Sequence, residues 1–393
     1  MGRMSAAKGC VVNILADENI PLVRELFGTL GDIHTLPGRR ITPAEVREAD
    51  LLLVRSVTRV DASLVEESRV RFIATATAGI DHVDVEALGA RGVAFASAPG
   101  SNAAAVADYV AAALLRECER SGYSLAGKRM GIIGHGEVGA RVASRARALG
   151  MAVILNDPPL ARQTGQPRYR PLDELLDTAD IVTLHVPLTR TGPDRTERMV
   201  DAAFLARMRS GCLFVNASRG KVVDEEALVA ALDAGHLRTA LLDVWATEPK
   251  PDPRTVERAA LATAHIAGYS LDGKLRGTWM IYEAACRFLG RAPRGQFNDY
   301  LPPAQFIVPP SSLRPASHEH ALAEVVRRVM DLDKDDAALR RCAALSPTER
   351  TAGFDAARSM HGDRREFSSC IVEWPGAAPE VRGALASLGF QLH

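Results

Sequence analysis

The chain carries no excess of charge: 48 Lys and Arg against 48 Asp and Glu in 393 residues leave a formal net charge of zero. A balanced surface gives no electrostatic reason to expect nucleic acid or an anionic membrane as partner. None of the six cysteines (Cys10, Cys118, Cys212, Cys286, Cys342, Cys370) forms a C-x-x-C pair. Scattered in this way they suggest neither a zinc site nor a disulfide framework, no metal is expected, and the thiols read as those of a reduced, cytoplasmic protein. Long apolar runs are missing too; residues 10–16 fall far short of the ~20 needed to span a bilayer. There is no solenoid repeat and no low-complexity segment. Residues 1–9 form a short polar lead in which we expect no secretory leader, and Ala6 stands where a myristoylation signal needs Ser or Thr. What remains is an ordinary globular balance, 47% hydrophobic and 24% charged, in a length suited to two or three domains.

Short apolar runs at 11–16, 51–55, 72–75 and 93–96 alternate with helical patterns at 21–30, 42–49, 61–67 and 83–91. This βαβα rhythm predicts a parallel sheet in the first hundred residues. An Ala-rich helical pattern follows at 101–120; at ~1.5 Å per residue it would extend ~30 Å, enough to pass from one domain to the next. A second alternating set follows, with strands at 128–133, 153–157, 181–185, 213–216, 241–244 and 260–263. Helices are expected at 173–178, 201–207 and 224–234, each opened by an aspartate. A helix over 273–289 returns the chain to the first domain, and Ala292-Pro293-Arg294-Gly295 marks a boundary. Beyond it, helical patterns at 319–332 and 378–388 and a strand at 368–373 make an α+β tail.

The strongest chemical signal is Gly134-His135-Gly136-Glu137-Val138-Gly139, placed between a predicted strand and a predicted helix, with Asp157 at the end of the next strand. Glycines at such a turn let a pyrophosphate approach backbone N–H groups at a helix N-terminus. An acid at the following strand end accepts both ribose hydroxyls, which selects NAD and repels the 2′-phosphate of NADP.

Four later loops follow predicted strand ends, where open α/β sheets bind ligands. In Asn216-Ala217-Ser218-Arg219-Gly220, Arg219 could pair with a carboxylate or polarise a carbonyl. Asp243-Val244-Trp245-Ala246-Thr247-Glu248-Pro249 offers Asp243 to a nicotinamide carboxamide and Glu248 to a histidine. Ala264-His265-Ile266-Ala267-Gly268-Tyr269 places His265 as a base. The backbone of His185-Val186-Pro187 would line the adenosine or ribose. Together they fit the oxidation of a 2-hydroxy acid: carboxylate on Arg219, hydroxyl proton to His265, imidazolium stabilised by Glu248.

This order of loops resembles the D-isomer-specific 2-hydroxy acid dehydrogenases over about residues 11–290. The resemblance implies an NAD enzyme with two doubly wound parallel-sheet domains: a flavodoxin-like substrate domain (10–105 and 270–292) and a Rossmann cofactor domain (106–269). A small C-terminal α+β domain (293–393) would follow. It makes Arg219, Glu248 and His265 the catalytic trio. The cofactor set becomes Gly134, Gly136, Glu137, Val138, Gly139, Asp157, His185, Val186, Pro187, Ala217, Ser218, Arg219, Asp243 and Gly268.

Leu15-Ala16-Asp17-Glu18-Asn19, Val54-Arg55-Ser56-Val57-Thr58, Ala74-Thr75-Ala76-Thr77-Ala78-Gly79 and Gly268-Tyr269-Ser270-Leu271-Asp272-Gly273-Lys274 are similar to one branch of that family, the 4-phosphoerythronate dehydrogenases. So are Asp335-Asp336-Ala337-Ala338-Leu339-Arg340 and Arg364-Arg365-Glu366-Phe367-Ser368-Ser369 in the tail. The branch implies oxidation of 4-phospho-D-erythronate to 2-oxo-3-hydroxy-4-phosphobutanoate in pyridoxal phosphate synthesis. It also implies a homodimer made through the tail, and substrate contacts from Ser56, Thr77, Tyr269 and Arg219. Arg55 and the Arg364-Arg365 pair are candidate partners for the phosphate. A 3-phosphoglycerate dehydrogenase with a regulatory tail, or a non-catalytic NAD sensor on the same fold, are the alternatives.

Overall fold

A computed structural model describes residues 11–310, 312–313 and 315–393; the polar lead and Cys10 lie outside the described residues. The chain divides into two compact units. One comprises the described residues up to Asn102 together with Asp272–Pro302; the other comprises Ala103–Leu271 and Pro303–His393.

The first unit holds β1 (Asn13–Asp17), β2 (Asp32–Leu36), β3 (Leu51–Val54), β4 (Phe72–Thr75) and β5 (Ala94–Ala96), all parallel, in the order β2-β1-β3-β4-β5. That is the flavodoxin-like order. Strands β3 and β4 are buried throughout, as continuous apolar runs in a doubly covered sheet should be. Strand β2, Asp32-Ile33-His34-Thr35-Leu36, is an edge strand without an apolar run, so the sequence shows no sign of it. The helix Leu271–Leu289 packs Trp279, Ile281, Tyr282 and Ala285 into the core of this sheet. Tyr282 meets Phe27 edge-on at 5.5 Å.

The second unit is built on β6 (Arg129–Ile133), β7 (Ala152–Asn156), β8 (Ile181–Leu184), β9 (Cys212–Asn216), β10 (Leu237–Leu242) and β11 (Leu261–Ala262), parallel in the order β11-β10-β9-β8-β6-β7. The order reverses at β6, which puts the glycine turn at the switch point. Asp201 and Asp224 cap their helices by accepting the N–H of Phe204 and Ala227. The helix Leu172–Thr178 begins after Pro171, and Asp173 sits inside its first turn instead of capping it.

The helix Ala103–Ser121 is buried on nearly every side, which is why its Ala-rich sequence shows no polar face. It lies wholly within the second unit and packs on the helices Glu137–Ala148 and His318–Val329. Leu322, Val326, Phe367 and Leu385 of the tail share one apolar cluster with its Val110 and Leu114 and with Ala143 and Ala146. The tail therefore packs in the same compact unit as the cofactor sheet while keeping the small α+β module that the sequence led us to expect. Its own strands, β12 (Gln305–Ile307), β13 (Cys370–Val372) and β14 (Gln391–Leu392), form a small parallel sheet in the order β12-β13-β14. Two helices, Leu332–Ala343 and Arg350–Ser359, occupy a stretch whose charge density hid them from sequence reading. In the first, Asp336 is buried because it accepts the Ala262 N–H at 2.8 Å and pairs with Arg340 at 2.8 Å.

A buried ion pair fixes the tail in place. Asp108 is fully buried, binds Arg145 at 2.8 and 2.9 Å and accepts the Phe367 N–H at 2.9 Å. Burial pushes its carboxyl up to about 7, against the pull of Arg145. Removing one partner of such a pair leaves an uncompensated charge. Asp108→Ala should therefore lower the free energy of unfolding by about 3–5 kcal/mol, read as a shift of the urea midpoint.

Candidate active site

The glycine turn fits a dinucleotide on its own geometry. Gly134 has φ +90°, and a Cβ there would lie 2.4 Å from the His185 carbonyl oxygen. At Gly139 a Cβ would lie 2.0 Å from the Gly134 carbonyl oxygen, so helix and turn meet only without a side chain. A Cβ on Gly136 would meet nothing within 4 Å. Gly136 caps the helix Glu137–Ala148 without a side-chain hydrogen bond, which leaves first-turn N–H groups, Glu137 and Val138 among them, free of a side-chain cap. Asp157 is half-buried beside this turn; it accepts the His135 N–H at 2.8 Å and the Leu160 N–H at 2.9 Å. Two bonds leave a carboxylate room to accept more.

His185 follows β8. Burial pushes its imidazole down to about 3, so it is neutral; Nε2 meets Thr183 Oγ1 at 3.0 Å and Nδ1 is buried with no partner. The side chain packs while the carbonyl faces the glycine turn, and the Val186 side chain approaches the same glycine. Pro187 continues that loop. After β9, Asn216 Oδ1 accepts the Ser218 N–H at 3.0 Å and the Ser218 hydroxyl at 2.9 Å, while its Nδ2 donates to the Arg219 carbonyl at 3.1 Å. This turn fixes Ala217 and Ser218 and leaves the Arg219 side chain half-buried.

His265 has a left-handed backbone, φ +56°, uncommon for a residue with a Cβ. Asp243, fully buried, holds it there. Its backbone oxygen accepts the His265 N–H at 2.7 Å, and its carboxylate accepts the N–H groups of Ile266 at 2.8 Å and Ala267 at 2.9 Å. The Thr263 hydroxyl also donates to it, at 2.6 Å, and lies 2.6 Å from the Tyr109 hydroxyl. Burial pushes the Asp243 carboxyl up; the nearby imidazole and these donors pull the other way. His265 Nδ1 lies 2.8 Å from Glu248 Oε2, and Glu248 Oε1 accepts the Trp245 N–H at 2.8 Å. Burial alone would raise the Glu248 carboxyl, yet His265, the Trp245 N–H and the Arg358 cation hold it below its usual range.

Gly268 and Tyr269 complete the turn after His265, both half-buried. The tail reaches this turn. Arg364 donates to the Ile266 and Tyr269 carbonyls, and Arg358 donates to the Tyr269 hydroxyl. Sequence reading missed Thr263, Tyr109 and Arg358. Tyr109 and Arg358 come from sequence-distant helices that no local pattern ties to the loop.

In the first unit, Ser56 is exposed just past β3, and the Thr77 hydroxyl, just past β4, donates to the Gly79 carbonyl at 2.9 Å. Arg55 pairs with buried Asp17 at 2.9 Å. Arg364, with 5% of its side chain exposed, faces Asp335 at 3.7 Å, and Arg365 donates to the Pro303 carbonyl at 2.6 Å. These commitments leave Arg55, Arg364 and Arg365 as structural cations first.

Three comparisons bear on the chain. Residues 100–267 match the D-isomer specific 2-hydroxyacid dehydrogenase NAD binding domain, and residues 300–389 match a domain of unknown function, DUF3410. The chain is 47% identical over 378 residues to the erythronate-4-phosphate dehydrogenase of Salinibacter ruber, covering 93% of this chain and 95% of that one. It is 44% identical to the enzyme of the same name from Marinobacter nauticus, over 96% and 99% of the two chains. Among solved structures, the TT0316 protein of Thermus thermophilus superposes with a TM-score of 0.61 at 30% identity, over 72% of this chain and 99% of that one.

Gly136→Ala should fold normally, because its Cβ enters open space, yet place a methyl group where a pyrophosphate would approach. Titration calorimetry should show NAD affinity weakened by about tenfold or more, roughly the loss of one charge-assisted hydrogen bond.

Proposed function

The chain belongs to the erythronate-4-phosphate dehydrogenases, a branch of the D-isomer specific 2-hydroxyacid dehydrogenases, and from this we infer how its residues divide the work of oxidising 4-phospho-D-erythronate with NAD. The product is 2-oxo-3-hydroxy-4-phosphobutanoate, on the route to pyridoxal 5′-phosphate. The observation that carries the assignment is the 2.8 Å contact between His265 Nδ1 and the ionised Glu248, which leaves Nε2 available to a substrate hydroxyl. Arg219 holds the C1 carboxylate. His265 takes the hydroxyl proton as the C2–H bond breaks and the C2 carbonyl forms, and Glu248 stabilises the resulting imidazolium. When bound, NAD supplies the hydride acceptor.

We assign its pyrophosphate to the N–H groups at Gly136, Glu137 and Val138, with Gly134 and Gly139 clearing the approach, and its adenosine ribose to Asp157. The backbones of His185, Val186, Pro187, Ala217, Ser218 and Gly268 line the rest. We also assign Asp243 a contact to the carboxamide, beside its hold on the loop. Ser56, Thr77 and Tyr269 are assigned to the substrate.

A homodimer through the tail is supported by β12, an edge strand that exposes Phe306 to 59%, with Val308 just past its end exposed to 60%. No helix of the described residues is long and apolar enough to cross a membrane.

Turnover of 4-phospho-D-erythronate, 3-phosphoglycerate and unphosphorylated D-hydroxy acids, followed by NADH absorbance, tests the substrate directly; selective use of the first is expected. His265→Ala should lower kcat by about 10²–10⁴-fold. Glu248→Gln removes the anion that stabilises the imidazolium as it forms, so kcat should fall; an unchanged kcat would remove Glu248 from its assigned role. Phe306→Glu should shift sedimentation toward the monomer.

A further inference from the structure

The reaction read above requires a cation for a phosphate dianion, and Arg55, Arg364 and Arg365 are each tied to other groups. Arg358, on the tail helix Arg350–Ser359, differs from all three. It is half-buried, and among the described residues no carboxylate forms an ion pair with it. Its guanidinium lies 5.3 Å from the Tyr269 ring centre and 6.0 Å from that of Phe354, and one terminal nitrogen donates to the Tyr269 hydroxyl. Its Nε is buried with no hydrogen-bond partner; Nη1 of Arg364 has none either, but that nitrogen faces the Asp335 carboxylate. A half-buried guanidinium lying over two aromatic rings, with a buried donor unused, is suited to an anion that would complete it. Its surroundings place that anion near the chemistry: Tyr269 is four residues from His265, and the charge of Arg358 is felt at Glu248. His361, from the turn after the same helix, packs edge-on against Tyr269 at 4.9 Å.

We propose that Arg358 and the Tyr269 hydroxyl form the receptor for the terminal phosphate of the substrate, so that the C-terminal module supplies a substrate-specificity residue to the dehydrogenase site. The proposal rests on the assignment of a phosphorylated acid as substrate. Tyr269 orients the planar fork, and the fork offers paired donors to phosphate oxygens. A charged hydrogen-bonded contact of this kind corresponds to about 10- to 100-fold in binding.

Two measurements on the NAD-loaded full chain test it. In steady-state kinetics, Arg358→Ala should raise KM for 4-phospho-D-erythronate by about 10- to 100-fold, with a much smaller change in kcat. For unphosphorylated D-erythronate, kcat/KM should fall far less. Arg358→Lys should recover part of the loss, since it restores charge without the fork. In titration calorimetry with inorganic phosphate as probe, the wild type should bind and Arg358→Ala should bind at least tenfold more weakly. Equal losses on both substrates, or unaltered phosphate binding in Arg358→Ala, would overturn the proposal and leave Arg358 as a prop for Tyr269. If the wild type fails to oxidise the phosphorylated acid but binds phosphate through Arg358, the functional reading falls and the anion site stands.

Discussion

The candidate active site of this protein depends on one buried carboxylate. Asp243 is buried just past the end of β10, so its carboxylate oxygens need donors from the protein itself. It finds them in the turn that carries the histidine: the N–H groups of Ile266 and Ala267 and the hydroxyl of Thr263. Those bonds select a backbone shape that a residue with a Cβ adopts only under constraint, and they turn His265 toward Glu248. Without the turn, the histidine and the glutamate would be two polar side chains on separate loops. With it, they are a hydrogen-bonded pair whose acid stays charged in spite of burial.

Much of this was legible in the sequence wherever the physics is local. The glycine turn could be read because each glycine answers a close approach or an open space within a few residues of chain. The strand-end loops could be read because parallel sheets bring successive carboxyl ends to one edge. Arg219, Glu248 and His265 each follow such an end. Edge strand β2 escaped notice because a strand with one solvated flank needs no apolar run. The two middle helices of the tail escaped because their charge-rich sequences show no clear apolar face, whereas the structure buries Asp335 and Asp336 of the first against partners far along the chain. Long-range pairing leaves no periodic trace, and that is also why the part played by Arg358 could not be anticipated.

The tail motifs therefore acquire a meaning different from the one their composition suggests. The Arg364-Arg365-Glu366-Phe367 run looks like a basic patch. In the fold, Arg364 supports the carbonyls of the histidine turn, Glu366 lies 3.2 Å from the Ser270 hydroxyl, and Phe367 enters the core while its N–H meets Asp108. A small parallel sheet has been joined to a cofactor sheet through buried polar contacts as well as apolar ones. Such contacts specify a single register, since a shifted arrangement would leave charges unpaired.

The support that Arg364 gives to Ile266 and Tyr269 bears on how such modules can be exchanged. A segment at the end of a chain is usually regarded as portable, something recombination can append to a finished enzyme or strip from it. Here its guanidinium completes the backbone of a loop almost a hundred residues upstream. Loop and tail are thus two halves of one device, and a chimera in which the tail lacked this arginine would have a histidine turn without its buttress.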